Sequence, residues 1–139
     1  MSDTTLNGTA FDLARFPVHL GLGARVVVEP EFDGKPSWYE AYGARRAADG
    51  VEGRLVSLHT FHKSWDSWEV HPRGHELVVC VAGRMTLHQE IDGRVRTMTL
   101  EAGQAVINPP GVWHTADVDG GPATGLFVTA GTGTQVRPR

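Results

Sequence analysis

At 139 residues, with 40% hydrophobic and 21% charged side chains, the chain has the size and balance of one globular domain. Its formal net charge of -3, with Arg45-Arg46 as the densest basic cluster, argues against nucleic acid as a partner. Cys80 is its single cysteine, which rules out an intrachain disulfide, and 17 glycines with 8 prolines imply frequent turns between short strands.

Residues 1–10 are small and polar and read as a loose arm, as do residues 132–139. The first residues lack the basic start and apolar run of a signal peptide. No stretch approaches the roughly 20 apolar residues of a membrane span, so a cytoplasmic protein without a membrane partner is expected. Residues 24–29, with Val26-Val27-Val28, predict a first strand. Ser37-Trp38-Tyr39-Glu40 fits a capping box with Ser37 as N-cap. Ala41, Ala44, Ala47 and Ala48 continue it as one short helix of about three turns, placed outside the domain and stopped by Gly50.

Beyond residue 52 nearly everything reads as strand: 54–61, 65–71, 77–82, 85–91, 95–100, 105–108, 113–118 and 123–130. Asp92-Gly93 is a two-residue hairpin signal between the fourth and fifth of these. Gly74, Gly83, Gly103, Pro109-Pro110-Gly111 and Gly120-Gly121-Pro122 punctuate the rest. Closely spaced strands of this kind predict an all-β sandwich or barrel with antiparallel pairing. Cys80, within Leu77-Val78-Val79-Cys80-Val81, reads as a small buried hydrophobe.

Chemistry concentrates in Trp68-Glu69-Val70-His71-Pro72-Arg73-Gly74-His75-Glu76. Alternation along a strand puts Glu69 and His71 on one face and Trp68 and Val70 on the other. The Pro72-Arg73-Gly74 turn reverses the chain and returns Glu76 opposite His71. His114, following Pro109-Pro110-Gly111 at a strand start, is the candidate fourth group. Imidazoles and carboxylates together suit Fe, Mn, Ni or Zn. Taken singly, His71 with Glu76 also fits a surface ion pair, and His114 a backbone-bonded histidine. Two carboxylates in one pocket repel unless a cation or a proton is shared between them.

These spacings resemble the cupin superfamily. Its first motif is G-x5-H-x-H-x3-4-E-x6-G; here His71, four residues, Glu76, six residues and Gly83 follow it. Its second motif, G-x5-P-x-G-x2-H-x3-N, is matched from Gly103 through Pro109 and Gly111 to His114. The shorter pattern W-E-x-H-P-x-G-x-E resembles a set of small cupins. The resemblance implies a double-stranded β-helix, or jelly-roll cupin barrel, over residues 53–131. An N-terminal arm, strands and one helix in 1–52 complete a single domain over 1–139. It also implies metal-ligand roles for His71, Glu76 and His114. Three positions depart from it: Glu69 replaces the first histidine, Val118 the closing asparagine and Lys63 the leading glycine. Glu69 is left open as a fourth ligand, a hydrogen-bond partner of a ligand, or a catalytic acid/base.

The expected function is a metalloenzyme acting on a small organic molecule, of oxygenase or isomerase/lyase type. The alternative is a non-catalytic module that binds a small molecule. Among the other histidines, His75 is expected to point away from the pocket and His88 to be exposed. Either His59 or His62 lines the pocket, and His19 carries no motif. Trp65, Trp68 and Trp113 are read as core or interface residues. Trp68 and Trp113 face away from the pocket, onto the helix, the N-terminal strands or a second subunit. Strand edges left open favour a homodimer. Gly21-Leu-Gly23 lacks the context of a dinucleotide fingerprint, and Ser64 and Ser67 that of a nucleophile elbow.

Overall fold

The structure is a computed structural model describing residues 8–139, so residues 1–7 of the expected arm lie outside the described residues. Eleven strands, all paired antiparallel, form two sheets. They are β1 (Val18–Gly21), β2 (Arg25–Val28), β3 (Arg54–Phe61), β4 (Ser67–Val70), β5 (Glu76–Ala82) and β6 (Arg84–Ile91). Then follow β7 (Arg94–Glu101), β8 (Ala105–Asn108), β9 (Trp113–Asp117), β10 (Ala123–Thr129) and β11 (Gln135–Pro138). One sheet runs β2-β1-β3-β10-β5-β8 and the other β11-β4-β9-β6-β7. Successive strands mostly alternate between the sheets, which is the winding of a double-stranded β-helix.

Asp92 and Gly93, with φ of 53° and 75°, close the β6–β7 hairpin as the sequence predicts. The 72–75 turn does something different from the expected reversal. It carries the chain from β4 in one sheet to β5 in the other, so Glu76 faces His71 across the barrel rather than along a hairpin. The β5–β6 turn at Gly83 has a φ of 74°, and a Cβ there would collide with the Pro122 carbonyl. That is a physical reason for a glycine at the end of the first motif.

Period-2 patterning decides what faces inward. Val78, Cys80, Met85, Leu87, Leu100, Ala116, Ala123 and Phe127 are buried in one cluster that closes one end of the barrel. Cys80 is fully buried, as its setting predicts. The other end is open and holds the polar groups described below.

Three elements differ from their expected form. The helix α1 spans Pro36–Arg45 with Lys35 as N-cap, so Pro36 rather than Ser37 opens it. It does not lie clear of the barrel. Trp38 is buried, and Tyr39 and Tyr42 line the open cavity. Buried Glu29 takes hydrogen bonds from Arg45 and Arg46, and the Trp38 indole donates to the Pro30 carbonyl, anchoring α1 to the chain after β2. His19, in a strand the sequence pattern does not reveal, ties the same region inward. It donates from Nε2 to Asp49 at 2.6 Å and accepts the Tyr42 hydroxyl at Nδ1, 2.7 Å away.

The C-terminal residues form β11 against β4 instead of a loose tail. Trp68 and Trp113 do face away from the cavity, but what they meet is Arg137 of β11, 5.4 and 4.4 Å from the ring centroids. His88 is half-buried on that outer side, held 2.7 Å from Asp117, rather than exposed. Among the described residues no helix is long and apolar enough to cross a membrane.

Candidate metal centre

At the open end, β4, β5 and β9 each contribute one acidic or imidazole side chain, and His71 joins them from the residue after β4. Glu69 lies directly opposite His114 in the β4–β9 pairing, so both side chains enter from the same sheet. Glu76 enters from the other sheet at the first position of β5. The Gly111 N–H donates to the His71 carbonyl, pinning the turn before β9 to the end of β4 and thereby linking the two motif segments. All four predicted residues therefore meet in one place. The candidate donor atoms of Glu69, His71 and His114 lie within 4.8 Å of one another. Glu76 Oε2 is 3.3 Å from His71 Nε2, and Glu76 Oε1 is 3.2 Å from His114 Nε2. Glu69 stands slightly apart, 3.9 Å from His71 Nε2, with about a third of its side chain exposed (34%).

The second nitrogen of each imidazole determines what the first can do. The Thr134 hydroxyl donates to the Gly131 carbonyl at 2.8 Å, so its oxygen accepts the Nδ1–H of His71 at 2.7 Å. The Val112 carbonyl can only accept, so it takes the Nδ1–H of His114 at 3.2 Å. A neutral imidazole holding its proton on Nδ1 presents a lone pair at Nε2. Both Nε2 atoms are buried and lack an aligned hydrogen-bond partner among the described residues, although carboxylate oxygens are close by.

The carboxylate of Glu76 is oriented by its cross-strand neighbours. Thr129 on β10 and Asn108 on β8 are paired with Glu76 in the sheet. The Thr129 hydroxyl donates to Oε2 at 2.7 Å and the Asn108 amide to Oε1 at 3.0 Å. Gln89 on β6 in turn donates to Asn108 Oδ1 at 2.8 Å. Each Glu76 oxygen thus has one fixed donor and one imidazole nitrogen facing it.

These groups perturb one another's protonation. Burial pushes the Glu76 carboxyl up, but the contacts and charge of His114 and His71 outweigh it and hold it well below the usual carboxylate range. Burial lowers the His114 imidazole, and the Glu76 contact and charge more than reverse that, raising it overall. Glu69 is raised, first by burial and then by the neighbouring Glu76 charge. Packing around Tyr39, and then the Glu69 charge, push its phenol up to about 12.

The donors fit a small cation. Two ligand atoms each about 2.1 Å from one ion stand about 3.0 Å apart at right angles and about 3.4 Å apart at the tetrahedral angle. The Glu76–His71 and Glu76–His114 spacings fall between those values. Two imidazoles and a carboxylate, with further oxygen donors available, suit Fe, Mn, Ni or Zn.

The cluster opens into a cavity of about 1440 Å3 lined by α1, β3 and the Gly131–Thr134 turn as well as by Glu69, His71 and Glu76. His59 lines it from β3, and His62, one residue past the end of that strand, lines it too, so strand alternation does not separate them as expected. His75 is exposed and outside the cluster. Trp65 packs its ring 6.4 Å from His114 and 6.1 Å from Phe127, in the wall between cluster and core. Thr129, Thr134, Asn108 and Gln89 went unread in the sequence. Strand alternation places Asn108 inward, just before Pro109 of the second motif, and likewise Gln89 on the face of Met85 and Leu87 and Thr129 on that of Phe127.

Two antiparallel sheets wound into one barrel, with a histidine–carboxylate cluster at the open end, define a double-stranded β-helix protein. The chain belongs to the cupin family: residues 58–132 match the model of the cupin domain. Among solved structures it is similar to a conserved protein with a double-stranded β-helix domain from Klebsiella pneumoniae. The two are 27% identical with a TM-score of 0.51, over 62% of this chain and 76% of that one. It is also similar to the oxalate decarboxylase of Bacillus subtilis, a protein with Mn(II) centres. That match has 18% identity and a TM-score of 0.55 over 69% of this chain, which spans about a quarter (26%) of the decarboxylase. No curated protein matches the chain.

Proposed function

We propose that this cupin is a metal-dependent enzyme acting on a small organic molecule. One divalent ion is held by His71, His114 and Glu76, with Glu69 as fourth ligand or acid/base. The observation that carries this reading is the pair of buried Nε2 atoms, each freed to donate by an Nδ1–H bond, converging on one fixed carboxylate. The bound ion supplies a positive charge that polarises a coordinated oxygen and, for iron, a site for oxygen chemistry. Glu69 suits proton transfer. It reaches the cavity, and its raised carboxyl keeps a proton more readily than an ordinary glutamate does. Oxygenase and isomerase/lyase chemistry both remain open to this donor set, and the identity of the metal separates them.

Metal analysis of protein purified without a histidine tag tests the reading. The expected result is close to one equivalent of a divalent transition metal, lost in both His71→Ala and His114→Ala. Protein that retains no metal, and takes up neither zinc, manganese nor ferrous iron on titration, overturns it in favour of a non-catalytic binding module.

We infer a second copy of the chain as partner, on a surface other than the tryptophan face. Cross-strand registers line up Val56, Val128, Leu77 and Ile107 on the outer side of the six-stranded sheet, beside Leu58, Leu126, Val79 and Ala105. Leu77 and Ile107 are exposed. Two rows on four strands about 4.8 Å apart, with about 6.8 Å between rows, offer about 250 Å2 of aliphatic sheet. That is about a third of the roughly 800 Å2 each partner contributes to a stable interface, and a polar rim supplies the rest.

A further inference from the structure

The cavity above the cluster has a wall whose chemistry selects among small molecules. Ring follows ring from α1 down to the imidazoles. Phe32 lies 5.6 Å from Tyr39 and 5.2 Å from His59, between ring centroids. His59 lies 5.9 Å from Phe127, and Phe61 is 5.6 Å from Trp65. Trp65 then reaches His114 at 6.4 Å. All of these except His114 line the cavity, and most of the contacts are tilted or edge-on. Rings meeting at these angles leave faces and edges turned to the open space. A planar aromatic guest matches them better than a saturated one of the same size.

His59 is the polar exception in this wall. Its ring lies beside those of Phe32, Phe61 and Phe127, and neither nitrogen has a hydrogen-bond partner among the described residues. Burial lowers its imidazole, so it sits there neutral, with one nitrogen donating and the other accepting. A hydroxyl group can use either.

We propose that the substrate is a hydroxylated aromatic molecule, bound with its ring against Phe32, Phe61 and Phe127 and its hydroxyl group on His59. The proposal rests on the reading of the cluster as the reacting end of the cavity. It makes His59 a specificity-determining residue outside the metal-ligand set. It also assigns the wall a binding role that does not need the metal.

Calorimetric titration tests it with two probes that share a carbon skeleton and a hydroxyl group, 2-naphthol and fully saturated 2-decalol. Each is titrated into the metal-free and the zinc-loaded protein. The expected result is 2-naphthol binding at least about fivefold tighter in both forms. His59→Phe, which keeps the ring, should weaken 2-naphthol about fivefold without changing zinc affinity. Phe32→Leu, at a position outside the closed core, should narrow the preference for 2-naphthol over 2-decalol. Equal binding of the two probes, no binding of either, or tighter binding of choline than of 2-naphthol overturns the proposal, whatever the zinc result. Failure to bind zinc with the 2-naphthol preference intact overturns the metal reading and leaves the aromatic pocket standing.

Discussion

Thr134→Val tests the tautomer argument without touching a metal ligand. The substitution keeps the shape of the side chain and removes the hydroxyl that accepts the Nδ1–H of His71 at 2.7 Å. Two outcomes are then available to His71, which is only 4% exposed. It can keep Nδ1–H unpaired, at a cost of about 1–3 kcal/mol for a buried donor. Or it can move the proton to Nε2, where the neutral ring no longer donates a lone pair to the cluster. The first cost falls on the metal-free and metal-bound protein alike and cancels; the second falls on metal binding, which must return the proton to Nδ1, and by this route zinc affinity should fall about 10- to 100-fold. Competition with a chelator of known affinity measures the loss, and long-range proton–nitrogen NMR spectra of the metal-free protein report which ring nitrogen carries the proton. Thr134→Ser restores the hydroxyl and should recover most of the affinity. A folded Thr134→Val protein with zinc affinity within twofold of the parent refutes the argument.

Other perturbations have equally definite outcomes. Glu29 is fully buried between Arg45 and Arg46. Glu29→Gln removes the negative charge that these guanidinium groups face and leaves a neutral amide in its buried place, at about 3 kcal/mol. With about 2.1 cal/mol/K of unfolding entropy per residue, calorimetry should show a melting point about 10 °C lower. Zinc uptake should release protons and weaken as pH falls, because His114 and Glu69 both hold protons more tightly than usual in the metal-free fold; a pH series of titrations in buffers of different ionisation enthalpy measures this. The same shifts govern stability without metal. The raised His114 stabilises the fold below the ordinary histidine value of 6.5 and loses that contribution as pH rises through its own higher value. The lowered Glu76 contributes above 4.5 and is lost as pH falls through its own lower value. Denaturant melts of metal-free protein should therefore weaken above about pH 6.5, and added zinc should remove the decline. Leu126→Glu, in the aliphatic outer face, should convert a dimer into a monomer by light scattering while keeping its metal; a parent protein that is already monomeric rules that surface out as an interface.

Barrel and cluster differ in how much of each is visible in the chain. The barrel strands show because alternation, glycine turns and the Asp92-Gly93 signal are local. The two motif spacings add the non-local fact that His71, Glu76 and His114 converge. What escaped was whatever depends on distant partners. β1 is four residues long, and its inward His19 looks polar until Asp49 and Tyr42 are seen to satisfy it. β11 is mostly exposed, so no apolar alternation marks it. It exists because β4 offers an open edge and because Arg137 stacks on two tryptophans. The helix start moved to Pro36 because that proline, with no N–H to satisfy, opens a helix without needing the serine cap.

The replacement of the first motif histidine by Glu69 can now be weighed from its surroundings. His71 and His114 each have a fixed Nδ1 partner, and Glu76 has two fixed donors. Among the described residues no hydrogen bond holds the Glu69 carboxylate, which sits at the cavity edge with a third of its surface open. A ligand that must hold one position gains from such supports, whereas a group that exchanges a proton with a guest needs reach and a raised carboxyl more than rigidity. The arrangement therefore divides the cluster into three supported donors and one free acid, and that acid lines the same cavity as Phe127 and His59. On this argument Glu69→Gln should keep the zinc and the 2-naphthol preference while reducing the proton release that accompanies zinc uptake to the share that His114 contributes. Loss of zinc from that variant would return Glu69 to the ligand set.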